Sequence, residues 1–142
     1  MKEKILVLGA TGNLGAYSAV ALKNAGFDVI ATGKRKSDNG FYSELGIPYY
    51  SIDITDKNSF DCLMNKGITA VVDFAGELPS RCAFNPQALI QTITEATMNV
   101  LEFMRKDQIY FADKKRSDGS SELYSVTDFV TKTTDNIRKG YL

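Results

Sequence analysis

The stretch that most restricts how this chain can fold is an apolar run that stops at a glycine and restarts as a helix: Ile5-Leu6-Val7-Leu8-Gly9-Ala10-Thr11-Gly12-Asn13-Leu14-Gly15. Lys4 to Leu8 contains β-branched residues and no polar alternation, which suits a strand covered on both faces, the natural centre of a parallel sheet. Asn13 to Ala25 are good helix formers, with Gly15, Ala19 and Leu22 on one face and Gly26 placed where a helix ends in the left-handed conformation. Between strand and helix, Gly9 permits the tight turn, Gly12 lets a ligand approach bare backbone, and Gly15 lets the helix close on the sheet.

The alternation continues along the chain. Asp28 to Thr32 reads as a second strand and Lys34 to Gly40 as a polar loop. Phe41 to Leu45 is amphipathic but ambiguous, Gly46 and Pro48 mark a turn, and Tyr49 to Asp53 reads as a third strand. Thr55 is placed to cap a helix over Asp56 to Asn65, which ends at Lys66-Gly67 before a fourth strand, Ile68 to Ala75. Pro86 starts the longest helix, whose Leu89, Ile93, Ala96, Val100 and Met104 recur at helical spacing and predict one broad apolar face lying on the sheet. Gln108 to Ala112 is a candidate fifth strand, Asp113 to Ser121 a charged Ser/Gly loop, Glu122 to Val126 a short strand, and Thr127 the cap of a closing helix carrying Phe129, Val130, Thr133 and Ile137. Strands and helices joined by short connections predict a doubly wound parallel α/β sheet in three layers.

Composition narrows the chemistry. A chain of 142 residues suits one domain able to bury roughly two thirds of its unfolded surface. Its 17 basic and 17 acidic residues cancel, so no global field favours nucleic acid or an anionic membrane and a charged ligand must be held by local geometry. No apolar run is long enough for a membrane span or signal peptide, which gives a cytoplasmic expectation. Cys62 and Cys82 lack Cys-x-x-Cys spacing and read as buried free thiols. With no histidine, neither a Ser-His-Asp nor a Cys-His nucleophile can be built, and no metal site is expected.

The first-turn N–H groups after Gly12 and the helix dipole form an anion site that needs no charged side chain, and a strand, glycine turn and helix in this order read as a dinucleotide-binding unit. Gly9-Ala10-Thr11-Gly12-Asn13-Leu14-Gly15 resembles the Gly-x-x-Gly-x-x-Gly signature of the extended short-chain dehydrogenase/reductases, the NAD(P)-dependent sugar epimerases, dehydratases and reductases, with a Rossmann-like fold. Asp53-Ile54-Thr55-Asp56 resembles the family's Asp-(Leu/Ile)-x-Asp element, which implies that Asp53 accepts a hydrogen bond from the adenine amino group. Val71 to Gly76 resembles the segment lining ribose and nicotinamide, with Asp73 where a His is often found, and Asn99-Val100-Leu101-Glu102 resembles the matching helix, with Ile93 where many members place an Asn. The resemblance covers residues 1 to about 112. It implies a cofactor site of Gly9, Thr11, Gly12, Asn13, Leu14, Gly15, Asp53, Ile54, Phe74, Ala75 and Gly76, and a nucleotide-sugar substrate. From the residues alone, the alternative for Asp53 is a cap on the following helix, and Asn99 reads as a structural hydrogen-bonding residue rather than a ligand contact.

Cofactor choice turns on the end of the second strand, where an acidic residue would bind a ribose 2′-hydroxyl and select NAD. Thr32-Gly33-Lys34-Arg35 offers instead a small residue and two cations, so NADP(H) is expected ahead of NAD(H), with Arg35 or Lys34 on the 2′-phosphate; the alternative is a solvated basic loop.

The family's chemistry implies a Tyr-x-x-x-Lys pair in which the lysine lowers the tyrosine pKa. Tyr110 and Lys114 have the spacing but fall on the candidate fifth strand, where residues four apart lie ~13 Å apart along the chain. Tyr124 is followed four residues later by Asp128, which cannot supply the cation. Leu123 to Val130 resembles a strand-to-helix element of the family's C-terminal substrate domain, so the sequence divides into a cofactor-binding part (1–112), a loop (113–121) and a tail (122–142) without the catalytic stretch between. Two functions remain: the cofactor-binding part of an epimerase/dehydratase-like oxidoreductase, shortened and incomplete for catalysis, or a non-catalytic NAD(P)-binding sensor or partner module. A sheet edge left uncovered by the shortening predicts a homodimer or swapped oligomer.

Overall fold

The computed structural model describes residues 2–77, 80 and 83–104, with backbone alone at 110–114 and 121–125. The chain divides into two compact units, Met1–Phe103 and Met104–Leu142.

The first unit is built on strand β1 (Lys4–Leu8), which pairs in parallel on both sides. Helix α1 (Asn13–Asn24) follows, then β2 (Asp28–Gly33), the short α2 (Phe41–Glu44), β3 (Tyr49–Ser51), a 3-10 helix (Lys57–Leu63) and β4 (Ala70–Asp73). The sheet order is β3-β2-β1-β4, with Leu6 opposite Ile30 on one side and Val71 on the other. From β1 the chain winds outward through β2 to β3 and then returns across the sheet to β4. Strand order therefore reverses between β1 and β4, and their C-terminal ends open on a crevice.

Pairing on both sides explains why β1 carries no polar alternation: Leu6, Val7 and Leu8 have no exposed surface. Ile5, Val7, Val29 and Ala31 point to one face and pack with Ala10, Ala19, Tyr42 and Ile47. The remaining buried apolar residues include Leu6, Leu8 and Ile30 of the sheet, with Phe60, Leu63, Ala96 and Val100 from helices. Burial on both faces makes three layers, and the doubly wound parallel expectation holds. Helix α1 closes as expected: the N–H of Gly26 donates to Lys23 O, that of Phe27 donates to Leu22 O, and Gly26 sits at φ +93°, a Schellman motif.

Several local expectations are corrected. Asp56 rather than Thr55 caps the next helix, its side chain accepting from Asn58 N, and that helix is 3-10 rather than α. Its three-residue repeat turns Phe60 and Leu63 inward and leaves Cys62 on the surface, so this thiol is exposed rather than buried. Cys82 lies outside the described residues. The long helix forms as α3 (Pro86–Ile90), a π-helical stretch (Gln91–Ala96) and α4 (Thr97–Phe103). Hydrogen bonds closing at i+5 wind the chain less per residue, which rotates the side chains of α4 out of phase with those of α3. The predicted apolar face is therefore split: Ala96 and Val100 are buried, while Ile93 is 61% exposed.

In the second unit the candidate fifth strand forms as β5 (Tyr110–Lys114), but it pairs antiparallel with β6 (Ser121–Ser125) in a two-stranded sheet of its own. Asp113, Lys114 and Ser121, expected at the ends of the charged loop, belong to that ladder. The closing helix predicted from Thr127 lies outside the described residues.

Candidate functional site

The crevice at the β1–β4 switch point begins with Gly9 at φ +71°, a conformation that L side chains rarely adopt. A Cβ there would lie 2.6 Å from Ala75 N and Phe74 C, so the turn can pass the end of β4 only as glycine. At Gly15 an added Cβ would collide with Gly9 O, which explains how the helix comes down onto its own turn. Gly12 differs. Its Cβ would meet only Gly9 O, at 3.4 Å, and would otherwise occupy the crevice. Gly12 is the N-cap of α1 and no side chain caps it, so the first-turn N–H groups, which have no intrahelical acceptor, are presented to whatever enters. A methyl group at Gly12 would project into open groove, and its absence fits the approach of a pyrophosphate to backbone.

The groove holds about 390 Å³. Gly9, Thr11 and Gly12 form one wall, Lys34 and Arg35 a second, Asp53 and Ile54 a third, and Phe74, Ala75 and Gly76 the fourth. Asn13, Leu14 and Gly15 do not line it: Asn13 and Leu14 are exposed at the start of α1, with Leu14 72% exposed, and Gly15 is buried under the turn.

Asp53 is neither the cap of the next helix nor idle. Its Oδ1 accepts from Thr55 N at 3.0 Å and from Thr55 Oγ1 at 2.7 Å, while its Oδ2 meets Lys34 Nζ at 2.9 Å. Partial burial would raise this carboxyl, but the hydrogen bonds from Lys34 and Thr55 outweigh it and hold the pKa below the usual carboxylate range. Asn99 takes the structural role: its Nδ2 donates to Ile54 O at 3.0 Å, tying the long helix to the wall that carries Asp53. At the end of β4, Asp73 Oδ1 accepts from Ala75 N at 2.8 Å and shapes the Phe74–Gly76 turn. Asp73 keeps exposed surface, yet the protein packed round its carboxyl pushes its pKa up, against that hydrogen bond.

Two tyrosines that belong to no sequence motif brace the groove from behind. The buried Tyr42 donates to Ala10 O at 2.5 Å, and Tyr49, stacked on it with ring planes 1° apart, donates to Arg35 O at 2.6 Å. One phenol thus holds the glycine turn and the other the basic loop. Burial raises both phenolic pKa values, with the Asp38 carboxylate adding to the effect, so both remain donors at neutral pH. Asp38 in turn fixes the start of α2 by accepting from Tyr42 N at 2.7 Å. A Tyr at the second position of an amphipathic four-residue turn was the available signal, but its partner lies 32 residues away.

Tyr110 and Lys114 stand at opposite ends of β5, a register that separates them by ~13 Å along the strand.

The NAD dependent epimerase/dehydratase family profile matches residues 5–140. No curated protein matches the chain. Among solved structures, a GalE-like L-threonine dehydrogenase from Cupriavidus necator in its holo form is 25% identical, with a TM-score of 0.61 over 70% of this chain and 32% of its own. The UDP-glucose 4-epimerase of Bifidobacterium longum in complex with NAD+ and UDP is 22% identical, with a TM-score of 0.60 over 71% and 33%. The UDP-glucose-4-epimerase of Stenotrophomonas maltophila with bound NAD and formylated UDP-arabinopyranose is 20% identical, with a TM-score of 0.62 over 73% and 33%. The chain spans about a third of the length of these proteins.

Proposed function

Because the chain belongs to the NAD dependent epimerase/dehydratase family, we propose that it is a nicotinamide dinucleotide-binding unit of an oxidoreductase acting on a nucleotide sugar. The observation that carries this reading is the cradle at Gly12, where space and uncapped helix N–H groups meet at the sheet's switch point. Gly9, Thr11 and Gly12 would hold the pyrophosphate, Asp53 and Ile54 the adenine side, and Phe74 to Gly76 the side towards the nicotinamide. Asn13, Leu14 and Gly15 would contribute as the first turn of the helix rather than as groove lining. When bound, the dinucleotide supplies a hydride acceptor or donor; the chain's own residues bind and orient it.

NADP(H) is favoured over NAD(H). β2 ends at Gly33, so the place of a ribose-binding acid carries no side chain, and two cations follow it. The UDP-bearing epimerase neighbours support the nucleotide sugar, and the threonine dehydrogenases supply the competing substrate class. Fluorescence titration with NADPH and NADH, followed by turnover assays with UDP-glucose and L-threonine, tests the reading; failure to bind either dinucleotide would refute it.

A second reading, a non-catalytic cofactor-binding module, is favoured by the position of Tyr110 and Lys114 on one strand. Binding without turnover of any such substrate is its expected result. Among the described residues β4 pairs only with β1 and forms one edge of the four-stranded sheet, which supports pairing with a second copy. Light scattering coupled to size exclusion should then report a dimer, and a monomer at every micromolar concentration would refute it.

A further inference from the structure

Two cations follow β2, and the sequence treats Lys34 and Arg35 as equivalent candidates for a phosphate. The structure does not. Lys34 Nζ lies 2.9 Å from Asp53 Oδ2 across the groove, whereas Arg35 is exposed and has its backbone carbonyl fixed by the Tyr49 hydroxyl at 2.6 Å.

The carboxylate that engages Lys34 is held in place before any ligand arrives. Its other oxygen is occupied by Thr55 N and Thr55 Oγ1, and the Asp53 carbonyl accepts from Ser59 Oγ at 2.6 Å. Main chain and side chain of Asp53 are thus both anchored, so turning the carboxylate away from Lys34 would break two further hydrogen bonds. Of the roughly four acceptor positions a carboxylate offers, three are filled, which leaves about one for a ligand donor. A phosphate approaching Lys34 meets an ammonium whose charge is already offset by a fixed anion 2.9 Å away, whereas a phosphate approaching Arg35 displaces only water. The lowered pKa of Asp53 keeps that anion charged throughout the neutral range.

We propose that Asp53 is a specificity-determining residue: by pairing with Lys34 it withdraws that cation from the ligand, leaves Arg35 as the phosphate-binding residue, and moderates the preference for a 2′-phosphorylated dinucleotide. The proposal rests on the NADP(H) reading above and deepens it. It predicts that the two cations contribute unequally, and that removing the acid increases discrimination by returning Lys34 to the groove.

The test is fluorescence titration of the full chain with NADPH and with NADH, read as the ratio of the two dissociation constants. The ratio cancels any general loss of adenine contacts or of stability. Arg35→Gln should lower NADPH affinity about tenfold and leave NADH unchanged, the scale of a hydrogen bond to a charged group. Lys34→Gln should change the ratio by less than about twofold, since its charge is already engaged in an exposed pair. Asp53→Asn, which keeps an oxygen for Thr55, should raise the preference for NADPH about threefold, and this gain should vanish in the Asp53→Asn/Lys34→Gln double variant. Circular dichroism of each variant verifies that it is folded. Equal losses from Lys34→Gln and Arg35→Gln, or an unchanged ratio in Asp53→Asn while Arg35→Gln still loses NADPH, would overturn the assignment and leave the NADP(H) reading standing. Unchanged ratios in both cation variants would overturn the NADP(H) reading and the assignment with it.

Discussion

Replacing Gly9 and Gly12 separately by alanine should divide folding from binding, although both glycines belong to one turn. At Gly9 two costs add. The residue sits at φ +71°, which costs an alanine ~1–2 kcal/mol, and its Cβ would press on Ala75 N and Phe74 C at 2.6 Å, backbone that cannot rotate aside. Overpacking of that kind costs ~1–3 kcal/mol, so Gly9→Ala should lose ~2–5 kcal/mol of a total of roughly 5–15. For a unit of this size each kcal/mol moves the melting point about 4–8 °C, which places the Gly9→Ala shift at roughly 10 °C or more. At Gly12 φ is −87°, the nearest atom to the new Cβ is at 3.4 Å, and the loss is confined to the poorer N-cap, up to about 1 kcal/mol. Yet the Gly12→Ala methyl group stands where the pyrophosphate would lie. Urea unfolding followed by circular dichroism, with NADPH titration of each variant, separates the two. A Gly9→Ala protein as stable as the parent, or a Gly12→Ala protein that is equally destabilised, would refute the reasoning.

The remaining predictions concern the bracing of the groove and its acid. Tyr42→Phe should cost about 1–3 kcal/mol in chemical denaturation, because it strips the hydrogen bond from a carbonyl on the fully buried Ala10; Tyr49→Phe, at a more exposed carbonyl, should cost about 1 kcal/mol or less. Asp53 has a folded-state pKa below its unfolded value of about 3.9, so its contribution is present above that pH and is lost as pH falls through the folded value. Melting points across the acid limb should therefore drop less steeply in Asp53→Asn than in the parent, and superimposable profiles would count against the pairing with Lys34.

What the sequence made legible is local. The turn from Gly9 to Gly15, the Schellman end at Gly26 and the apolar strands each follow from constraints on a few neighbouring residues, and the parallel doubly wound sheet then follows from alternation. The misses are of another kind. The π-helical stretch within 91–96 shifts the helix phase between Leu89 and Ala96, and apolar periodicity read on an ideal helix cannot register that. Tyr110 pairs with Ser125 rather than joining the parallel sheet, and strand propensity is silent on that choice. In the site, the composition of Thr32 to Arg35 shows two cations but not that Asp53 engages one of them, since that contact spans 19 residues and depends on the Thr55 turn that aims the carboxylate.

The uncapped start of α1, exposed through Gly12, is the proposed seat of a nicotinamide dinucleotide. Calorimetric titration of the chain with NADPH, beside its Gly12→Ala variant, tests it most directly. Saturable one-to-one binding is expected for the parent, and its loss in a variant whose unfolding curve stays close to that of the parent. Absence of binding up to millimolar NADPH and NADH, or undiminished binding by Gly12→Ala, would contradict it.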